Sequence, residues 1–286
     1  MNPEVSVIIP CYNQGHFLGD SLKSASISSK QDLEIIIVND GSTDAVTLRK
    51  LDEIVSLQQN NIRVVNQTNK GLSSARNTGV IQSSGSFIKF LDADDLLVSG
   101  SIDKQLEFFQ EFPALDVVID DFEYTDIFRS HFWREEPSTV ANFDFKWEDF
   151  FSFWESGLTI PIHAALFRKN AIEKIPFHEG IKAKEDWVFW CDLAANSLSM
   201  HYTGLTGCVY RVHGSNMTKD KTKMAFYWLE AFQIILKNAR KREIDIPIED
   251  ILRLQSHFND FYARQLQEKS QNLSHETLSK ILNIWN

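Results

Sequence analysis

The chain has 286 residues, 43% apolar and 24% charged, with a formal charge of −10 and 21 phenylalanines. This is enough for one large α/β domain, or a domain plus an appendage, around a well-filled core. The acidic balance argues against a nucleic-acid partner, which needs a basic face. It leaves room for an anionic ligand, because a bound cation reverses the local field.

Short β-rich runs fall at 5–10, 33–39, 62–66 and 87–91, with a further candidate at 116–120. The first two are almost wholly apolar, as suits central strands covered on both faces. Helical patterns fill the gaps at 17–28, 44–59 and 72–83. Strand–helix alternation of this kind makes βαβ units and a largely parallel sheet. Polar residues cluster where the runs end, at Asn13, Asp40, Asn69-Lys70 and Asp92, and open α/β sheets bind ligands at the carboxyl ends of their strands. The stretch 122–154 is aromatic and acidic without clear periodicity, and reads as a connection carrying short elements. Amphipathic helices are expected over 226–241, 248–269 and 275–284, with Pro247 separating the first two. Their apolar stripes read as core packing.

Cys11, Cys191 and Cys208 are scattered and odd in number, which gives neither a disulfide framework nor a zinc site. A reducing cytoplasm is the expected compartment. The N-terminal residues lack the regions of a signal peptide, and no run approaches the ~18 apolar residues of a membrane span.

Five constellations carry chemistry. Asp92-Ala93-Asp94-Asp95 follows the apolar run at 87–91. Carboxylates at the exit of a buried strand are costly unless something positive meets them. Their spacing suits a hard divalent cation that also carries phosphate oxygens; an aspartate-rich helix cap is the plain alternative. In 39–44, Asp40 is placed to accept a hydrogen bond from a ligand imide or hydroxyl beside Gly41, or the segment is a capped turn. In 69–77, Gly71 precedes a helix with Arg76 one turn in. Backbone amides plus Arg76 suit a diphosphate or ribose; a capped helix with a surface ion pair is the alternative. Glu185-Asp186 open an aromatic helix. Adjacent helix positions point about 100° apart, so one acid projects into a site while the other caps or orients. Partial desolvation against Trp187 and Trp190 suits a general base. Arg211 and His213 alternate onto one face at a strand end, a pair suited to phosphate and a metal. His163 and the belt at 150–154 suit sugar stacking or packing, with packing preferred.

Taken in order, segments 5–13, 38–44, 69–79, 90–95, 185–187 and 210–213 resemble the family 2 glycosyltransferases of the GT-A fold, over residues 3–220. The resemblance implies a three-layer, Rossmann-like α/β domain at 1–220 with a mostly parallel central sheet. Residues 1–120 form its nucleotide-binding half, 121–220 its acceptor half, and 221–286 a C-terminal helical extension. It implies inverting transfer of a sugar from a nucleotide sugar, first of all a UDP-sugar, with Mn2+ or Mg2+ as cofactor. The acceptor is a hydroxyl of a glycan or lipid-linked glycan, in bacterial-type polysaccharide or glycoconjugate synthesis. By the same resemblance Pro10, Tyr12 and Asp40 line the base pocket, with Asp40 facing the uracil imide, and Asn13 is a further nucleotide-sugar-binding residue. Lys70, Arg76, Asp92, Ala93 and Arg211 border the rest of the donor. Asp94 and His213 hold the metal, Asp186 is the general base, and Glu185 supports it or binds acceptor. A lipid-linked acceptor implies peripheral contact with the inner face of a membrane, to which the acidic charge lends nothing.

Two other classes compete. A nucleotidyltransferase acting on sugar phosphates is also α/β with acidic metal ligands, but the loop at 10–15 has none of the basic residues its phosphate site needs. A non-catalytic nucleotide- or glycan-binding member has no use for acids at both 92–94 and 185–186.

Overall fold

β1 (Val5–Cys11) and β2 (Leu33–Asp40) are buried almost throughout, as their continuous apolar runs require. The computed structural model describes residues 3–30, 32–134, 139–214 and 216–263. β3 (Ile62–Gln67) lies outside β2, and β4 (Phe87–Phe90) lies on the other side of β1. All are parallel, with Val5 opposite both Leu33 and Phe87, and Ile35 opposite Ile62. The crossovers are α1 (Gly15–Ser26), α2 (Ala45–Ser56) and α3 (Leu72–Gln82), and α3 packs across β1 and β2. Asp44 caps α2 by accepting from the amides of Val46 and Thr47 at 3.1 and 2.9 Å.

Beyond β4 come β5 (Leu96–Leu97), α4 (Ser101–Glu111), β6 (Val117–Asp126), β7 (Phe132–Trp133), α5 (Trp147–Phe153), β8 (Ala165–Arg168), α6 (Lys169–Ile172), α7 (Glu185–Ala195), β9 (Met200–Val212), α8 (Lys221–Lys241) and α9 (Ile248–Phe258). Among the described residues the strands form one sheet in the order β3-β2-β1-β4-β8-β6-β9-β5, with β7 on β6. Parallel pairing dominates, at β1–β4 and again between β6 and β9; β8 inserts antiparallel between β4 and β6. The five expected strands are present. β5, β8 and most of β9 are additional, and the expected connection at 122–154 holds the end of β6, then β7 and α5.

The chain divides into two compact units: Met1–Asn142, Ile160–Gly180 and Ser197–His213 in the first, and Phe143–Thr159, Ile181–Asn196 and Gly214–Asn286 in the second. The boundaries at 120 and 220 drawn from the sequence do not coincide with these. β8 and β9 return the chain to the sheet of the first unit, while α7 packs on α5 and α8 in the second. The second unit has an aromatic core. Phe150 stacks on Trp190 at 5.4 Å, Trp187 meets Trp228 at 5.1 Å, and Trp187 Nε1 donates to the Phe150 carbonyl at 2.8 Å. Within it, the helix expected from 248 is α9 followed by a π-helical turn, Asn259–Ala263. The helix expected at 275–284 lies outside the described residues. No helix of the described residues is long and apolar enough to cross a membrane.

At the amino end of the parallel strands, Glu34 is a stability device. Burial works to raise its carboxyl pKa, but hydrogen bonds from Ser6 and Ser84 and the charge of Arg63 outweigh it and hold the value below the ordinary one. Ser6 Oγ and the Ser84 amide each donate at 2.5 Å. Because the folded value is depressed, its contribution is full above the unfolded pKa and is lost as pH falls through the folded one. Glu34→Gln should therefore destabilise by about 1–2 kcal/mol at pH 7, with the gap to wild type closing towards pH 3. Urea unfolding at the two pH values measures it; a gap that does not narrow in acid would refute this account.

Candidate functional site

In the first unit the loops at the carboxyl ends of β1, β2 and β3 are locked together. Asn13 sits in the left-handed region at φ 56. Its backbone amide donates to Ser42 Oγ at 3.0 Å, and its Oδ1 accepts from the amides of Thr43 and Asp44 at 2.8 and 3.2 Å. Asn13 thus clamps the β1 loop to the β2 loop. Asp40 accepts from Gln67 Nε2 and the Lys70 amide on one oxygen, at 2.7 and 2.9 Å, and from the Gly71 amide on the other at 2.9 Å. It is buried, so these donors stabilise its charge while pinning the start of α3. Gly41 has φ +70, and a Cβ there would lie 2.8 Å from the Asn69 amide nitrogen, so only glycine lets the two loops close. Pro10 is buried beside this cluster, Tyr12 is 46% exposed, and the Lys70 side chain is exposed.

The turn after β4 places three carboxylates close together, and each is met differently. Arg76, 1% exposed, reaches Asp92 with Nη2 to Oδ1 at 2.7 Å and lies over the Phe177 ring at 5.1 Å. The guanidinium is buried and Asp92 half-buried, where the sequence allowed a surface pair. Asp94 meets His213 Nε2 at 2.9 Å and Gln14 Nε2 at 3.4 Å, both at Oδ2. Phe17 covers the His213 ring at 4.5 Å. Asp95 is buried; burial first, then the charges of Asp94 and Asp92, push its carboxyl well above the ordinary range. Its Oδ1 accepts from the Arg211 amide at 2.7 Å, which joins the turn to the end of β9 and so brings His213 to Asp94. Ser21 Oγ lies 2.7 Å from the carbonyl oxygens of both Ala93 and Asp95, and its single proton is shared between them, tying α1 to the turn. The Arg211 guanidinium pairs with Asp20 at 3.2 Å and stacks on Phe17 at 5.0 Å.

His163 joins this cluster from the segment before β8. It is 1% exposed, its Nδ1 lies 3.4 Å from Asp95 Oδ2, and burial lowers its pKa to about 4. Among the described residues neither ring nitrogen makes a well-angled hydrogen bond, the Asp95 contact included. Asp92, Asp95 and His163 offer ligand atoms all within 4.8 Å of one another. Carboxylate oxygens with one or two imidazoles, His163 or His213, are a donor set that fits a divalent cation of the Mg2+ or Mn2+ kind. The orphaned ring nitrogens of His163 are the observation that speaks for such a group.

Glu185 and Asp186 belong to the second unit. Glu185 is buried and Asp186 half-buried at the first turn of α7, where the helix dipole favours negative charge. Asp186 Oδ1 accepts from the Trp187 amide at 2.8 Å. Of the expected site residues, the first unit therefore gathers Asp92, Ala93, Asp94, Arg76, Arg211 and His213 at one turn, and Pro10, Asn13, Asp40 and the Lys70 backbone at the neighbouring strand ends. Asp95, part of the acidic run, and His163, expected to pack, join them, and Asp20 and Gln14 do so without a sequence signal of their own. Their partners lie 68 to 191 positions away, except for the Asp95 neighbours within the turn.

Comparison with known proteins follows the same lines. A family model described as Glycosyl transferase family 2 matches residues 6–175. The uncharacterized glycosyltransferase EpsJ of Bacillus subtilis is 40% identical over 118 residues, 41% of this chain and 33% of that protein. Glycosyltransferase GlyA of Streptococcus pneumoniae is 24% identical over 279 residues, 94% of this chain and 38% of that protein. The chain thus spans well under half the length of these relatives. Among solved structures, S. aureus TarS 1-349 in complex with UDP-GlcNAc superposes with a TM-score of 0.67 at 18% identity, over 99% of this chain and 79% of that one. The mannosyltransferase PcManGT of Pyrobaculum calidifontis, in complex with GDP-Man and Mn2+, gives 0.63 at 16% identity over the same shares.

Proposed function

We propose that this chain, which belongs to glycosyl transferase family 2 and is a glycosyltransferase of GT-A type α/β fold, transfers a sugar with inversion from a nucleoside-diphosphate sugar to a hydroxyl of a glycan or lipid-linked glycan. A UDP-sugar is the first donor to test, since TarS is known with UDP-GlcNAc, although PcManGT carries GDP-Man. The observation that carries the reading is the turn after β4, where Asp92 and Asp94 are held in fixed geometry by Arg76 and His213 at the carboxyl end of a parallel strand.

Asp40 and Tyr12 bind the base: the Gln67, Lys70 and Gly71 donors fix the Asp40 carboxylate, and its remaining acceptor position takes an imide N–H. Asp92, steadied by Arg76, takes the ribose. Asp94 and His213 would hold Mn2+ or Mg2+, which when bound would supply positive charge to neutralise the diphosphate leaving group. Arg211 adds fixed positive charge nearby, with Asp20 setting the plane of its guanidinium. Asp186 takes the proton of the acceptor hydroxyl as that oxygen attacks, and Glu185 orients the acceptor or the helix turn. Inversion needs only this one base.

A panel of UDP-sugars and GDP-mannose with Mn2+, screened by thermal shift, identifies the donor; a ligand at 100 times its Kd stabilises by about 2.7 kcal/mol. Product analysis then decides the reaction. Release of free nucleoside diphosphate with a product of inverted anomeric configuration is expected. Pyrophosphate, retained configuration or no turnover across donors and acceptors would overturn the reading.

A further inference from the structure

The second unit contains a buried chain of contacts that ends next to Asp186 and begins in the C-terminal helices. Lys184, directly before Glu185-Asp186, is the N-cap of α7 and lies in the left-handed region at φ 63, with no side-chain cap bond. Lysine has no short polar side chain to ease that conformation and is a poor cap. Its buried ammonium is instead drawn into an ion pair with the half-buried Glu155, itself left-handed at φ 61. Two strained, non-glycine residues are thus joined side chain to side chain, an arrangement that local sequence does not explain and that strain at working sites does. The other oxygen of Glu155 accepts the Tyr262 hydroxyl at 3.0 Å. Tyr262, 1% exposed in the π-helical turn after α9, also sets its ring 6.0 Å from the Lys184 ammonium. Burial, then Glu155, raise the Tyr262 pKa, keeping the hydroxyl a donor.

We propose that Tyr262, Glu155 and Lys184 form a positioning relay through which the C-terminal helical segment fixes the left-handed turn at Lys184 and thereby aims Asp186. The inference rests on the reading of Asp186 as the general base and gives the otherwise unassigned segment after residue 221 a role in the same reaction. Tyr262 removes one rotational freedom from Glu155, and Glu155 compensates the buried charge of Lys184. Lys184 then sets the direction in which α7 begins. An error of about 1 Å in such a group costs about 100-fold in rate, so a partial loosening should be readable well before the unit unfolds.

The test is Tyr262→Phe in the full chain, which deletes one oxygen and keeps the ring. Hydrogen exchange is followed at the amide of Val188, whose bond to the Lys184 carbonyl at 3.3 Å closes the first turn of α7, and at amides of α8 as reference. The relay predicts exchange at least ~10-fold faster in the first turn of α7 and unchanged in α8. It also predicts a melting midpoint lowered by no more than the loss of one charge-assisted hydrogen bond, unchanged UDP affinity, and a kcat about 10-fold lower at unchanged donor KM. Unchanged exchange in α7, or a loss of protection spread equally over α7 and α8, would overturn it. Should Tyr262→Phe not fold, the double variant Glu155→Gln/Lys184→Met keeps shape while removing both charges and is read in the same way. Asp186→Asn in parallel separates the two ideas. Full turnover in that variant removes the base assignment, whereas the exchange result decides the relay by itself.

Discussion

Asp186→Asn is expected to lower turnover by a factor of about 100 to 10,000, the range attached to a positioned general base, while leaving UDP binding within about twofold of wild type. The two halves of this expectation have separate grounds. An acceptor hydroxyl is a weak nucleophile, and the amide of asparagine has no basic site to take its proton during attack. Asparagine does keep an oxygen in the place of Oδ1, so the bond from the Trp187 amide survives and the first turn of α7 has no reason to shift. The residues expected to hold the nucleotide, Asp40, Asp92 and Asp94 among them, belong to the other unit and lose no partner. Loss of UDP affinity in parallel with turnover would mean that Asp186 acts in binding, and retained turnover would remove it as the base. Rate and affinity are read from nucleoside-diphosphate release and from isothermal titration with UDP and Mn2+.

The parallel half of the fold is legible in the chain because its signals are local. Two buried apolar runs, turns carrying Gly41 and Gly71, and helix patterns between them give β1 to β4 within one residue at each end and α1 to α3 within three. β8 is illegible for the opposite reason: four residues are too short to show a period, and what makes them a strand is pairing with β4 and β6 across long loops. The candidate site divides in the same way. Asp40, Asp92 and Asp94 stand out because polar groups directly follow apolar strands. His163 does not, since its relation to Asp95 exists only once the chain has folded back over 68 positions. Asn13 is a subtler case. Its place at a strand end is visible in the sequence, but its left-handed backbone and its grip on Thr43 and Asp44 are not. Tyr262 carries no motif at all, and its bond to Glu155 spans 107 positions.

Asp94→Asn is the second large effect, and its sign differs between function and stability. The substitution keeps the shape of the side chain and a polar contact to His213 Nε2, but removes a full negative charge from a turn that holds three carboxylates. A cation held by Asp94 and His213 would lose its strongest ligand. Loss of groups that merely orient a ligand costs 10- to 100-fold in metal affinity, so loss of the ligand itself should weaken Mn2+ binding by at least ~100-fold, and Mn2+-dependent UDP binding and turnover with it. Without metal the balance reverses. The charge of Asp94 contributes to pushing the Asp95 carboxyl upward, which is repulsion the folded turn must bear. The variant should therefore unfold in EDTA no earlier than wild type, yet gain little from Mn2+ and UDP, which should stabilise wild type by several degrees. Raising Mn2+ should restore part of the activity, because the defect lies in affinity. Thermal unfolding in EDTA and in Mn2+ with UDP, together with titration of Mn2+ by isothermal calorimetry, measures each part. A variant that binds Mn2+ as wild type does would move the cation to the neighbouring Asp92, Asp95 and His163 set, whose ligand atoms lie within 4.8 Å of one another. A variant already destabilised in EDTA would instead make Asp94 a structural partner of His213, since a site kept for function at a cost in stability shows the opposite pattern.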